Sequence, residues 1–153
     1  MSIEIAQTKD AIEIQDLIIR AVKPEENPDF DNEGLELFYK PNEISEIKNR
    51  INSPDYLTLC FHKNKNIVGL ITIHKNEKLD QLFVDPAYRN MRVSTKLWNS
   101  AKKISSRNNE SGEFWVKSST MAIPVYESFG FQHASGRQQQ NGITYYLMKL
   151  IVS

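Results

Sequence analysis

The sequence predicts a mixed α/β chain: a mostly antiparallel central sheet flanked by helices, in one domain over residues 1–153. Three observations carry this. Stretches alternating with period 2 are interleaved with stretches repeating at helical spacing, in the order β-α-α-β-β-β-α-β-α-β-β. Short polar turns join neighbouring strands, as hairpins require. The 153 residues suit a single hydrophobic core, and no internal repeat or low-complexity segment divides them.

The elements follow in order. Residues 2–8 alternate, with Ile3 and Ile5 opposite Glu4 and Ala6, and read as a strand. Thr8 or Asp10 can cap the next helix, in which Ala11, Ile14, Leu17, Ile18 and Ala21 recur on one face through Val22. Residues 24–41 hold Pro24, Pro28, Gly34 and Pro41 and read as a long turn-rich segment with a short helical turn at 35–38. Asn42 can cap a helix over 43–52, whose Ile44, Ile47 and Ile51 share a face and which Ser53-Pro54 ends. Strands follow at 56–62 and 67–75, joined by a polar turn. The strand at 78–84 has apolar residues on both faces (Leu79 and Phe83, Leu82 and Val84), which places it centrally in the sheet. A helix at 93–107 with Val93, Leu97, Ala101 and Ile104 on one stripe is broken by 108–112. A short strand at 114–117, a helix at 121–129 ended by Gly130, and strands at 131–137 and 143–151 turning on Asn141-Gly142 complete the chain.

Composition excludes several classes. Lys+Arg and Asp+Glu each number 19, so no bulk charge draws the chain to nucleic acid or an anionic membrane. No run of about 18 apolar residues predicts a transmembrane helix, and the first ten residues lack the pattern of a signal peptide, so a cytoplasmic location is expected. The single cysteine, Cys60, lies in an apolar run and reads as a buried structural thiol. Nothing in the pattern asks for a metal. The oligomeric state stays open, a homodimer among the options.

Chemistry concentrates where the central strand runs through Asp85-Pro86 into a loop and a helix. The stretch from Arg89 through Asn90, Met91, Arg92, Val93 and Ser94 to Thr95 would present backbone N–H groups at a helix N-terminus, with two arginines and two hydroxyls beside them. That combination suits a phosphate; the alternative is an ordinary strand-to-helix connection with solvated arginines.

The residues here, LDQLFVDPAYRNMRVSTKLW, resemble the acetyl-CoA-binding motif of the GCN5-related N-acetyltransferase family, Arg/Gln-x-x-Gly-x-Gly/Ala with a preceding Val-x-Pro. A second block, FWVKSSTMAIPVYESFGF, resembles the family's later motif in its Ala122, Tyr126, Gly130 and Phe131, and NGITYYLMKL resembles its last strand. The resemblance covers residues 67–150. It departs at two positions: Arg92 and Ser94 stand where the family has glycine or a small residue.

The resemblance implies the acyl-CoA N-acyltransferase fold and transfer of an acetyl group from acetyl-CoA, as cosubstrate, to a primary amine in a ternary complex. It implies that residues 89–95 hold the pyrophosphate, that the strand backbone of Leu82, Phe83 and Val84 pairs with pantetheine, and that Ser119, or Ser118, makes a polar contact to CoA. Tyr126 maps onto the tyrosine that protonates the departing thiolate. For the base that deprotonates the amine, the nearby carboxylates are Asp80 and Glu77, with His74 a further titratable group. An N–H near Val84 could hold the oxyanion.

The acceptor would be a small-molecule or peptide amine. Its specificity is expected in residues 24–41, whose Glu25, Glu26, Asp29, Asp31, Glu33 and Glu36 with Phe30, Phe38 and Tyr39 form an acidic, aromatic lip or simply a solvated loop; Tyr145 and Tyr146 line the same site or fill a strand. Two other functions compete: a CoA-binding module without turnover, and a partner-binding domain that has lost the cofactor.

Overall fold

A computed structural model describes residues 1–152, Asn90 by its backbone alone. Among these residues seven strands form one sheet in the order β1-β2-β3-β4-β5-β7-β6: β1 (Ser2–Ile5), β2 (Tyr56–Lys63), β3 (Asn66–His74), β4 (Lys78–Val84), β5 (Glu113–Ser118), β6 (Gln132–Gln140) and β7 (Ile143–Ile151). All neighbours are antiparallel except β4 and β5, which run parallel. The strand expected to be central, β4, is fourth of seven.

Helices α1 (Ala11–Val22) and α3 (Ile44–Asn52) cover one face of β2 to β4, burying Ile14, Leu17, Ile18 and Ile47 against Cys60, Ile67 and Leu70, while α2 (Asn32–Tyr39) adds Phe38 to the same cluster. Helices α4 (Val93–Ser106) and α5 (Ile123–Ser128) cover the other, where Leu97, Trp98, Tyr126 and Phe131 pack on Ile71, Leu79, Phe114 and Val116. The β4 sequence therefore carries apolar side chains on both faces because helices lie on both.

Four local readings are corrected. The first strand ends at Ile5, and residues 8–10 form a 3-10 turn in which Asp10 accepts from the Gln7 N–H at 2.8 Å instead of capping α1. The turn expected at 35–38 is a full helix, α2, which adds an element to the expected order; Asp31 caps it, accepting from the Gly34 N–H at 3.0 Å. Asn42 does not cap α3. It is buried, donates to the Phe38 carbonyl at 2.8 Å, and leaves Glu43 as a cap without a side-chain bond. The strand expected at 131–137 runs on to Gln140.

Two features fix where β4 leads. A Cβ on Gly69 of β3 would lie 2.7 Å from Val93 Cγ1 and 2.9 Å from Leu97 Cδ1, so only glycine lets the first turn of α4 sit this close to the sheet. Beyond β4, Asp85 receives the Ala87 N–H at 2.9 Å on one oxygen and Arg20 of α1 at 2.9 Å on the other. The backbone bond, with Arg20 and Arg89 adding to it, holds its carboxyl below the usual carboxylate range.

A depressed carboxyl stabilises the fold above its unfolded pKa, about 3.9, and loses that contribution as pH falls through the folded value. Asp85→Asn should therefore lower Tm at pH 7, with the gap to the parent closing below about pH 4. An equal gap at pH 7 and pH 3 would show that the charge is not what ties the loop down.

Candidate functional site

The site begins with a missing pairing. Strand β4 pairs with β5 only at Lys78 and Leu79, opposite Trp115 and Val116. Beyond that point the two strands diverge, and among the described residues positions 80–84 have a strand partner only in β3. The register of β3 against β4 jumps from Thr72–Gln81 to Ile73–Leu79, so Asp80 is the extra residue of a β-bulge. Bulges bend a strand and redirect its side chains, here at the apex of the gap.

Backbone direction along the free edge follows from alternation. The Asp85 N–H donates to the Val68 carbonyl at 2.9 Å, and the register pairs Phe83 with Leu70 and Gln81 with Thr72. Alternate residues of an antiparallel strand bond to opposite neighbours. Leu82 and Val84 therefore turn their N–H and C=O groups into the gap. Phe83, expected to share that role, turns its own toward β3, and its side chain packs against the α1 face.

The gap leads to the start of α4. Residues 86–91 make a 3-10 turn, and Arg92 takes the left-handed conformation, φ 58° and ψ 25°. This is where glycine would be least strained; a non-glycine residue there costs about 1–2 kcal/mol. The first bond of the helix runs from the Lys96 N–H to the Arg92 carbonyl, 3.0 Å. Among the described residues no side chain caps the end. The N–H groups of Val93, Ser94 and Thr95 thus have no partner among the described residues, at the positive end of a 14-residue helix. Arg92 is exposed beside them. Arg89, expected to face the same point, instead donates to the Ala21 carbonyl at the end of α1, 2.9 Å. The side chain of Asn90 lies outside the described residues.

At the apex, Tyr126 packs with Phe129 and Phe131, ring centroids 6.2 and 5.8 Å away, in the cluster that holds Leu79 and Val116. Burial, with the Asp80 charge second, pushes its phenol above the ordinary range. Asp80 lies 3.1 Å from the Lys78 ammonium and is partly exposed. Glu77 is placed elsewhere: it sits before β4, at the closed end of the gap, and accepts from Ser111 at 2.9 Å. Ser119 accepts from the Ala122 N–H at 3.2 Å, closing the turn into α5. His74 stacks on Tyr56, centroids 4.5 Å apart.

Residues 24–41 fold over the far strands instead of hanging free. Asp29 is buried, takes the Thr120 N–H at 2.8 Å and hydroxyl at 2.6 Å, and its carbonyl accepts from the Thr144 N–H at 2.9 Å. Phe30 bridges to Ile143. Glu25 accepts from Tyr39 at 2.9 Å. Three of the six acids are thus bonded within the protein, while Glu26, Glu33 and Glu36 are exposed. Tyr145 sits under Lys117 on the open face of β5 and β7, 5.0 Å from ring centre to ammonium, and Tyr146 packs on His133.

Sequence reasoning missed Arg50, Lys78, Arg20 and the Asp29–Thr120 clasp. Arg50 had a signal: it shares the apolar stripe of α3 with Ile47 and Ile51, where a charge is out of place. The clasp spans 91 positions and left none.

A family model described as the acetyltransferase (GNAT) domain matches residues 26–152. No curated protein matches the sequence. Among solved structures the chain is similar to a GCN5-related N-acetyltransferase from Rhodopseudomonas palustris, with TM-score 0.83 and 17% identity over 99% of this chain and 95% of that one. It is also similar to the PaiA N-acetyltransferase of Thermoplasma acidophilum, solved with coenzyme A, with TM-score 0.80 and 17% identity over 99% of both chains. YncA of Salmonella typhimurium, solved with acetyl-CoA, has TM-score 0.72 and 15% identity over 100% of this chain and 94% of that one. At these identities the likeness is one of fold; the family model carries the assignment, and by it the chain belongs to the GNAT family of acetyltransferases, enzymes that use acetyl-CoA as cosubstrate.

Proposed function

We propose that this chain, as a single domain, transfers the acetyl group of acetyl-CoA to a primary amine by direct attack in a ternary complex. The observation that carries the reading is the free edge of β4, which runs from Asp80 and Tyr126 at its apex to the uncapped N-terminus of α4.

The fit to CoA is specific to these residues. The open N–H groups of Val93 to Thr95 suit the pyrophosphate, with exposed Arg92 supplying charge. The N–H and C=O groups of Leu82 and Val84 suit the amides of pantetheine, laid along the edge as an added strand. The same N–H groups are the donors available to the thioester oxygen as negative charge builds there.

Acetyl-CoA supplies a thioester carbonyl, and the side chains handle protons. Asp80 takes one proton from the acceptor amine, whose nitrogen forms the C–N bond as the C–S bond breaks. Tyr126 gives its proton to the departing sulfur and recovers one from solvent. Because burial holds the phenol proton tightly, Tyr126 stays protonated at neutral pH and donates only to sulfur carrying developed negative charge.

Turnover of acetyl-CoA with a panel of amines, read as free thiol, tests the reading. Tyr126→Phe should lower kcat about 100-fold with CoA affinity nearly unchanged; unchanged turnover removes its role. Thermal stabilisation by CoA without turnover on any amine would mark a binding module instead. Arg92→Gly should weaken CoA binding about tenfold through loss of a charge-assisted hydrogen bond; tighter binding would show that the side chain obstructs the loop.

A further inference from the structure

Two cations act on Asp80. Lys78 lies 3.1 Å from its carboxylate, held over the Trp115 ring at 5.2 Å. Arg50 reaches the same place from α3. Its Nη1 donates to the Pro41 carbonyl at 2.5 Å and its Nη2 to Asn42 Oδ1 at 3.3 Å. That Oδ1 also accepts from Gln81 at 3.0 Å, the residue after Asp80. The guanidinium is therefore pinned beside the bulge by two neutral acceptors. Among the described residues no carboxylate lies within ion-pair distance of it. Burial disfavours its charged form, while the Asp80 charge and, more weakly, the Glu46 charge act on it from farther away.

A half-buried guanidinium with neutral partners and N–H donors to spare is an incomplete arrangement. Lys78 and Arg50 both act on Asp80, and that carboxylate is the one assigned to the amine. A simple alkylamine or polyamine would bring a further positive charge to this point and meet repulsion. An amine bearing its own carboxylate would not: nitrogen at Asp80 leaves the acid for the planar donor fork of Arg50. Among the described residues no acid of residues 24–41 lies within ion-pair distance of Arg50 or Lys78.

Resting on the acetyl-transfer reading, we propose that the acceptor is an amine whose nitrogen and carboxylate are separated by one or two carbon atoms, as in an amino acid, and that Arg50 is the residue that selects it.

The test compares amino acids with their own carboxamides as acceptors for the full chain, followed as thiol released from acetyl-CoA. The carboxamide amine is the more easily deprotonated, so intrinsic reactivity favours it. The protein should reverse this, with kcat/KM at least about tenfold higher for the carboxylate, the worth of a charge-assisted hydrogen bond. Arg50→Gln should bring the ratio toward one through KM, and Arg50→Lys should restore part of it. Equal or better use of the carboxamide by the parent chain overturns the inference while leaving acetyl transfer standing, and needs no variant to fold. It also falls if both Arg50 variants lower both acceptors equally with the ratio unchanged, the behaviour of a residue that merely holds Pro41 and Asn42. No thiol release with any amine, while CoA still stabilises the chain, overturns the acetyl-transfer reading and this inference with it.

Discussion

Among the described residues, most of a strand in the middle of the sheet lacks a neighbour on one side, and the rest of the structure is organised around that. Backbone N–H and C=O groups are obligatory hydrogen-bonding groups, and leaving them unpaired in an interior is costly. At residues 80–84 of β4 the sheet opens, because the bulge at Asp80 bends the strand away from β5. An extended amide-bearing chain can supply the missing partner, and pantetheine is one. The same geometry explains why an interior strand need not be closed on both edges: on the proposed reading its second edge is completed by the cosubstrate.

Surrounding elements keep that edge open and aimed. Gly69 lets α4 lie close on β3, so that the helix begins near the end of the free edge. Asp85 and Arg20 fasten the turn between strand and helix to α1, and Arg89 adds a second tie to the end of α1. Across the gap, Asp29 joins residues 24–41 to the β5–α5 turn and to β7. The site thus stands between two halves of the sheet that touch at Lys78 and Leu79 and are clasped again on the α2 side. Tyr126 and Asp80 lie at the point of contact, where a small displacement of either strand would alter both.

Much of this was legible in the sequence. Helical periodicity located α1 and α4, and the two-faced apolar pattern of residues 78–84 put β4 in the centre, because local side-chain pattern reports burial directly. The family resemblance brought Tyr126 and the α4 N-terminus forward. What stayed hidden was non-local or depended on backbone direction. Nothing local says that Phe83 faces β3 while Leu82 and Val84 face the gap; that follows from the register with β3. The bonds of Arg89 to Ala21 and of Asp29 to Thr120 join positions far apart in the chain, so both residues read as free charges until the fold was known. Arg92 reads as an intruder at a glycine position, and its left-handed backbone shows that the loop keeps the glycine geometry at a cost in strain.

The most direct measurement is amide hydrogen exchange, residue by residue, with and without CoA. If the free edge of β4 is the cofactor's seat, CoA should slow exchange at Leu82 and Val84 and at Val93, Ser94 and Thr95, while Phe83, already paired with Leu70, should change little. CoA binding that leaves Leu82 and Val84 unprotected, or that protects Phe83 in their place, would contradict the assignment of that edge.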